Sequence, residues 1–215
     1  KQYEESILAG LEWLGLTIDE GPDHQADYGP YRQSERMQQA VYQTYVDQLL
    51  AKNEAYYCFL TDQEIQQAKE QAKKEKKPYI HSRDSSLLPE QEIKKRLDRG
   101  DAYTIRYKMN RSEPITFTDM IRQPIEFDCR LQSDFVIMKS DGSPSYNFAV
   151  VVDDAEMAIT HVIRGEDHIS NMPKQLALYA SLEKPMPQFA HLPMILGADK
   201  SKLSKRHGAT SVIEY

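Results

Sequence analysis

Two short apolar runs near the carboxyl end, Ala158–Ile163 and Phe189–Leu196, constrain this chain most. Each reads as a strand, and each leads into a polar loop, RGEDHISN after the first and GADKSKLSKRHG after the second. Between them, Pro173–Leu182 has the length and pattern of a helix. Strand, polar loop, helix, strand, polar loop is the order of an α/β unit, whose strands run parallel because the helix carries the chain back. In such sheets ligands bind beyond the carboxyl ends of the strands. Both polar loops lie there, so they are the first places to look for chemistry.

The rest of the chain has a different texture. Ile7, Leu8, Leu11 and Leu14 fall on one helical face, and Gly15 is a natural stop. After the turn-rich stretch IDEGPDHQADYGPYRQ, Ser34 can cap a second helix with the stripe Met37, Val41, Tyr45 and Leu49, ending near Asn53. Tyr56–Leu60 reads as a strand. Thr61 and Glu64 form a capping box for a charged helix that runs to about Lys77 and stops at Pro78. Pro89 opens a further helix and Gly100 closes it. Ala102–Lys108, Ile115–Thr118, Ile125–Phe127 and Phe135–Lys139 are short strand candidates, and Ser140–Pro144 is a turn. The run Tyr146–Val152 fits a strand or a helix; its period does not decide. The expected organisation is therefore a helical segment 1–54, a small α+β block 55–145, and an α/β block 146–215. The fold class expected for the whole is α/β.

Composition narrows the function classes. The chain has 215 residues, of which 40% are hydrophobic and 28% charged, enough for one large or two small domains with real cores. No run of about 18 apolar residues occurs, so no membrane-spanning helix is expected. The amino terminus KQYEESILAG has no signal-peptide pattern, and a cytoplasmic location is expected. The two cysteines, Cys58 and Cys129, are too few for a disulfide framework, and a structural zinc site needs four Cys or His in close pairs. The net charge of −6 does not advertise a nucleic-acid binder, yet Lys69–Arg99 and Lys200–Arg206 are locally rich in Lys and Arg.

In the second loop, Lys202, Ser204, Lys205 and Arg206 follow a strand in a short glycine-flanked segment. Cations on a loop at the mouth of an α/β sheet suit a polyphosphate whose charge grows in the transition state. No GxxxxGK[ST] occurs, so this is not a P-loop. The wording KLSKR resembles the KMSKS signature of class I aminoacyl-tRNA synthetases, and KLSKRHGA the form found in glutamyl-tRNA synthetases. DGSPSYNFAVVVDD followed by ITHVIRGEDHISN resembles the active-site stretch of the same family. So do GLEWLGLTIDEGPD and GPYRQSER near the start. The resemblance spans nearly the whole chain, with the motifs in the family's order.

That resemblance implies part of a Rossmann-type class I catalytic domain, interrupted at 55–145 by an inserted α+β domain that grips the tRNA acceptor end. It implies activation of L-glutamate with ATP and Mg²⁺ to glutamyl-adenylate, then transfer to tRNA-Glu. Tyr146 and Arg164 carry over to the glutamate site, where a guanidinium fork suits a carboxylate. The plain alternative for Arg164 is an ion pair with Glu166 or Asp167. Asp167 and His168 sit where the family approaches ATP. Lys202 and Lys205 would neutralise the departing pyrophosphate, Lys205 more directly. No general base is needed, since the substrate carboxylate is the nucleophile. His161, His191 and His207 are expected to be structural, with His191 the best exception.

The chain departs from the family in two respects. Many members carry a zinc knuckle beginning Cys-x-Cys where this chain has Tyr56-Tyr57-Cys58-Phe59, so no zinc or other resident metal is expected. The family's HIGH-like motif is not present, and both ends look like cuts through a larger protein. The isolated polypeptide is therefore expected to be inactive, and the parent to be a monomer. The rival readings are a glutamyl-queuosine tRNA-Asp synthetase, which usually keeps cysteine-rich zinc ligands, the related glutaminyl enzyme, against which RGEDHISN with KLSKRHGA argues, and a non-catalytic RNA-binding fragment, against which Tyr146, Arg164, Lys202 and Lys205 argue.

Overall fold

A computed structural model describes residues 2–24, 26–86 and 88–197. The first helix, α1 (Gln2–Trp13), ends where Gly15 takes a positive φ of 70°, the left-handed geometry that glycine adopts without strain. Its expected apolar face is not fully buried: Ile7 is 64% and Leu14 51% exposed.

The second expected helix is two helices. α2 (Gln33–Gln38) starts from Arg32 rather than Ser34, and α3 (Val41–Ala51) follows after a break at Gln39 and Ala40. The physical reason lies in two separate attachments. Arg36, buried in α2, donates from Nε to Asp153 Oδ1 at 2.7 Å, while α3 buries Tyr42, Tyr45, Val46 and Leu49. Those four lie at i, i+3, i+4 and i+7, the helical stripe. Met37, expected on that stripe, is exposed. Ala40 turns the chain between the helices at φ 54°.

The middle of the chain holds a three-stranded antiparallel sheet in the order β1 (Ala55–Cys58), β2 (Thr104–Tyr107), β5 (Phe135–Met138). Between β1 and β2 stand two solvated helices with no buried residue, α4 (Asp62–Lys74) and α5 (Glu90–Arg99). The capping box on α4 is complete: Glu64 N donates to Thr61 Oγ1, and Thr61 N to Glu64 Oε2 at 2.7 Å. Gly100 closes α5 in the left-handed region. Buried His81 brings Nε2 to 3.8 Å from the Sγ of Cys58. Burial, and after it the charge of Arg106, takes the His81 pKa down to about 4. No group of three or more His, Cys, Asp or Glu that could hold a metal ion occurs among the described residues.

β3 (Ile115–Asp119) and β4 (Gln123–Phe127) form a hairpin in register from Ile115–Phe127 to Asp119–Gln123. The hairpin packs on the last strand through Phe117 against Phe189, and Met120 N donates to Phe189 O at 2.8 Å. The undecided run is a helix, α6 (Tyr146–Glu156), with Phe148, Ala149, Val151 and Val152 buried. β6 (His161–Gly165), α7 (Met172–Ser181) and β7 (Gln188–Leu192) form the crossover unit, and β6 pairs with β7 in parallel as expected. β6 begins later than the apolar run and is not a buried strand. With β7 as its one neighbour among the described residues, it turns alternate side chains outward, and Ile163 is 66% exposed. One hydrophobic core runs through Leu49, Tyr107, Phe135, Phe148, Leu176 and Phe189. No described helix is long and apolar enough to cross a membrane.

Candidate active site

The site forms where β6 and β7 end. Arg164 is the fourth residue of β6 and lies in register with His191 of β7. Its guanidinium is held on one edge by three contacts: Nε donates to His191 Nε2 at 3.2 Å, and NH2 lies 2.7 Å from Gln175 Oε1 and 3.0 Å from Met172 Sδ. Its Cζ stands 5.6 Å from the centre of the Phe189 ring, within cation–π range. NH1 makes no hydrogen bond among the described residues and is not one of the fully buried unpaired atoms. Arg164 forms no ion pair with a carboxylate among the described residues. Glu166 instead pairs with Arg122 and accepts from Met194 N at 3.0 Å. The plain alternative for Arg164 therefore does not hold.

His191 is fully buried and rests on Asp119, also fully buried, with Nδ1 2.6 Å from Asp119 Oδ2. Asp119 sits at the end of β3 and accepts backbone N–H from Ile121, Arg122 and His191 on its other oxygen. Burial alone would raise its pKa. The N–H of Arg122, the His191 ring and the other two amides outweigh that and bring it to about 2.

Tyr146 opens α6 and is 52% exposed, its hydroxyl 3.3 Å from His168 Nδ1 in the turn after β6. Asn171 Nδ2 reaches the same nitrogen at 3.3 Å. Next to Tyr146, Asn147 accepts from Gln175 Nε2 at 3.0 Å, so a hydrogen-bonded path joins the start of α6 to Arg164. The carboxylate of Asp167 lies against Gly165, where a Cβ would meet its Oδ1 at 2.6 Å. Four of the expected site residues, Tyr146, Arg164, Asp167 and His168, thus gather at the end of β6. Lys202, Lys205 and His207 lie outside the described residues. His161 is exposed at the opposite end of β6, bonded to Thr160.

Sequence reading missed Asp119, Asn147 and Gln175, and undervalued His191. One signal was available for Gln175. It is a polar residue on the buried stripe Met172, Leu176, Tyr179 of α7, and a polar group buried there needs a partner.

Comparison with known proteins fixes the family. The family model for tRNA synthetases class I (E and Q), catalytic domain, matches residues 1–215. The chain is 49% identical over 212 residues to a glutamate–tRNA ligase of Sulfurihydrogenibium sp., covering 99% of the chain and 44% of that protein. It is 48% identical over 215 residues to that of Aquifex aeolicus, covering all of the chain and 43% of the relative. The crystal structure of a glutamate tRNA ligase from Elizabethkingia meningosepticum in complex with its amino acid superposes with a TM-score of 0.87 at 39% identity, over 95% of this chain and 42% of that one. The chain spans less than half the length of these relatives. On the strength of the match over its entire length, the chain belongs to the catalytic-domain family of the class I tRNA synthetases for glutamate and glutamine.

Proposed function

We propose that this chain is the catalytic-domain portion of a glutamate–tRNA ligase, and that its Arg164 binds the side-chain carboxylate of L-glutamate. The observation that carries the reading is a guanidinium held on one edge by His191 and Gln175, with NH1 left without a partner among the described residues. A fixed planar cation with one free edge is suited to a carboxylate and poorly suited to a neutral amide. Tyr146, at the first turn of α6, supplies a hydroxyl and a ring wall beside it. Asp167 and His168 approach the adenosine of ATP.

ATP enters as its Mg²⁺ complex. The α-carboxylate of glutamate attacks the α-phosphorus, the bond to the β-phosphate oxygen breaks, and pyrophosphate leaves with the electron pair. No proton moves in that step, so it depends on positioning and charge. Lys202 and Lys205 stabilise the pyrophosphate. A ribose hydroxyl of the terminal adenosine of tRNA-Glu then attacks the glutamyl carbonyl of the adenylate, forming the ester as AMP leaves.

Residues 55–145 form the inserted domain that holds the acceptor end. Between 69 and 99 the chain carries ten Lys or Arg against six Asp or Glu, seven of the ten on helices α4 and α5, which bury nothing of their own. Such helices present cations to phosphates, and binding should weaken steeply with salt. We place the parent in the cytoplasm as a monomer.

The test is amino-acid-dependent charging of tRNA by the complete ligase that carries this segment. Glutamate should be the residue attached to tRNA-Glu, and the isolated 215-residue chain should give no glutamate-dependent ATP–pyrophosphate exchange. Charging with glutamine in preference to glutamate would refute the substrate assignment. Clear exchange by the isolated chain would refute its inactivity.

A further inference from the structure

We infer that Asp119 and His191 are positioning residues for Arg164, and that this buried pair aims the guanidinium at the amino-acid substrate. The inference rests on the proposed role of Arg164 and adds what holds it.

The geometry carries the argument. Arg164 Nε can only donate, so His191 Nε2, 3.2 Å away, must accept and carries no proton. The ring proton then sits on Nδ1 and is donated to Asp119 Oδ2 at 2.6 Å. The tautomer is thus fixed by the bond on the far side of the ring, as it is for a metal-bound or catalytic imidazole. The ring is flanked by Phe189, nearly parallel to it at 15°, and by Phe117, edge-on at 78°. Asp119 is anchored in turn by three backbone amides, of Ile121, Arg122 and His191. His191, Asp119, Gln175 and Met172 are all fully or almost fully buried. Building three buried groups around one edge of one cation, with buried Asp119 behind His191, costs desolvation, and a cation that merely packed against Phe189 would not require it. The consequence is that the opposite edge, NH1, points one way. A further consequence is that a residue of the β3–β4 hairpin, more than 40 positions away in sequence from Arg164, sets the orientation of the amino-acid site.

Asp119→Asn is the sharpest probe. The amide keeps the shape and can still accept the backbone N–H groups through its oxygen. Its NH2 then faces His191 Nδ1, which must become the acceptor. The proton moves to Nε2 and opposes the N–H of Arg164. His191→Phe keeps the ring packing and removes the acceptor.

In the complete ligase, glutamate-dependent ATP–pyrophosphate exchange should show KM for glutamate raised roughly 10- to 100-fold in both variants, the worth of one hydrogen bond to a charged group. KM for ATP should stay within about twofold, because the pair touches Arg164 and not the nucleotide loop. Nitrogen-15 NMR of the histidine side chains should find His191 neutral with its proton on Nδ1 in the wild type, and on Nε2 in Asp119→Asn. Arg164→Ala is the reference arm. If it leaves KM for glutamate unchanged, the assignment of Arg164 fails, and the inference with it. If it raises KM while Asp119→Asn and His191→Phe do not, the positioning inference alone fails. Equal rises in both KM values in either variant would mark a general structural loss and also overturn it. A wild-type His191 protonated on Nε2 overturns it whatever the variants do.

Discussion

At the scale of single residues, the site is a cation with a chosen direction. Arg164 spends Nε on His191 and NH2 on Gln175, and its NH1 has no partner among the described residues. Glu166, the nearest carboxylate in sequence, is spent on Arg122 and on the amide of Met194, so it does not compete with a substrate. Lys205, by contrast, is assigned to charge that exists only as pyrophosphate leaves. Lys205→Ala in the complete ligase should therefore slow adenylate formation by roughly 100-fold or more and raise the Kd for glutamate by less than about twofold. Rapid-quench measurement of adenylate beside equilibrium glutamate binding checks this, and equal losses in both would contradict the role. That Tyr146, Arg164, Asp167 and His168 come together at the end of β6 was legible because contiguous motifs carry them. Asp119 and Gln175 were not, because neither has local chemistry of its own; each matters through a contact that only the folded chain creates.

At the scale of elements, local signals placed most boundaries. The capping box at Thr61 and Glu64, the stop at Gly100 and the crossover β6–α7–β7 all depend on neighbours in sequence. The errors share one cause, which is that tertiary contacts decided them. α2 and α3 read as one helix because the period continues from Met37 to Leu49, but the Arg36–Asp153 pair holds α2 to α6 and breaks the helix at Ala40. The run Tyr146–Val152 became a helix because α6 packs on α7 across the core, a contact no local period reveals. Ala40 sits at φ 54°, a region that costs a non-glycine residue on the order of 1 kcal/mol. Ala40→Gly should therefore raise the unfolding free energy by roughly 0.5–1 kcal/mol, read as a shifted denaturation midpoint at unchanged slope. A loss of stability would mean that the junction is set by the alanine side chain instead.

At the scale of the molecule, the segments before, within and after the middle block share one core, and buried charge sits at their junctions. Arg36 of α2 and Tyr42 of α3 both reach Asp153, and Asp119 of the hairpin reaches His191 of β7. Beside Asp153, Asp154 accepts from Tyr179 at 3.3 Å, and burial pushes its pKa up to about 6 against that bond and the charge of Arg164. A carboxyl that holds its proton more tightly when folded costs stability as pH rises from its unfolded value of about 4 through 6. Asp154→Asn should match the wild type near pH 4 and exceed it by on the order of 2 kcal/mol at pH 7, seen in urea unfolding at the two pH values. A constant difference across that range would exclude the titration of Asp154. The central claim, that Arg164 makes this a glutamate-activating site, is tested most directly by ATP–pyrophosphate exchange in the complete ligase with glutamate or glutamine as the amino acid. The account predicts exchange with glutamate and far less with glutamine, and a KM for glutamate that rises by about 100-fold or more in Arg164→Ala with little change for ATP. Exchange that ignores the Arg164 substitution, or that runs as well with glutamine, would contradict it.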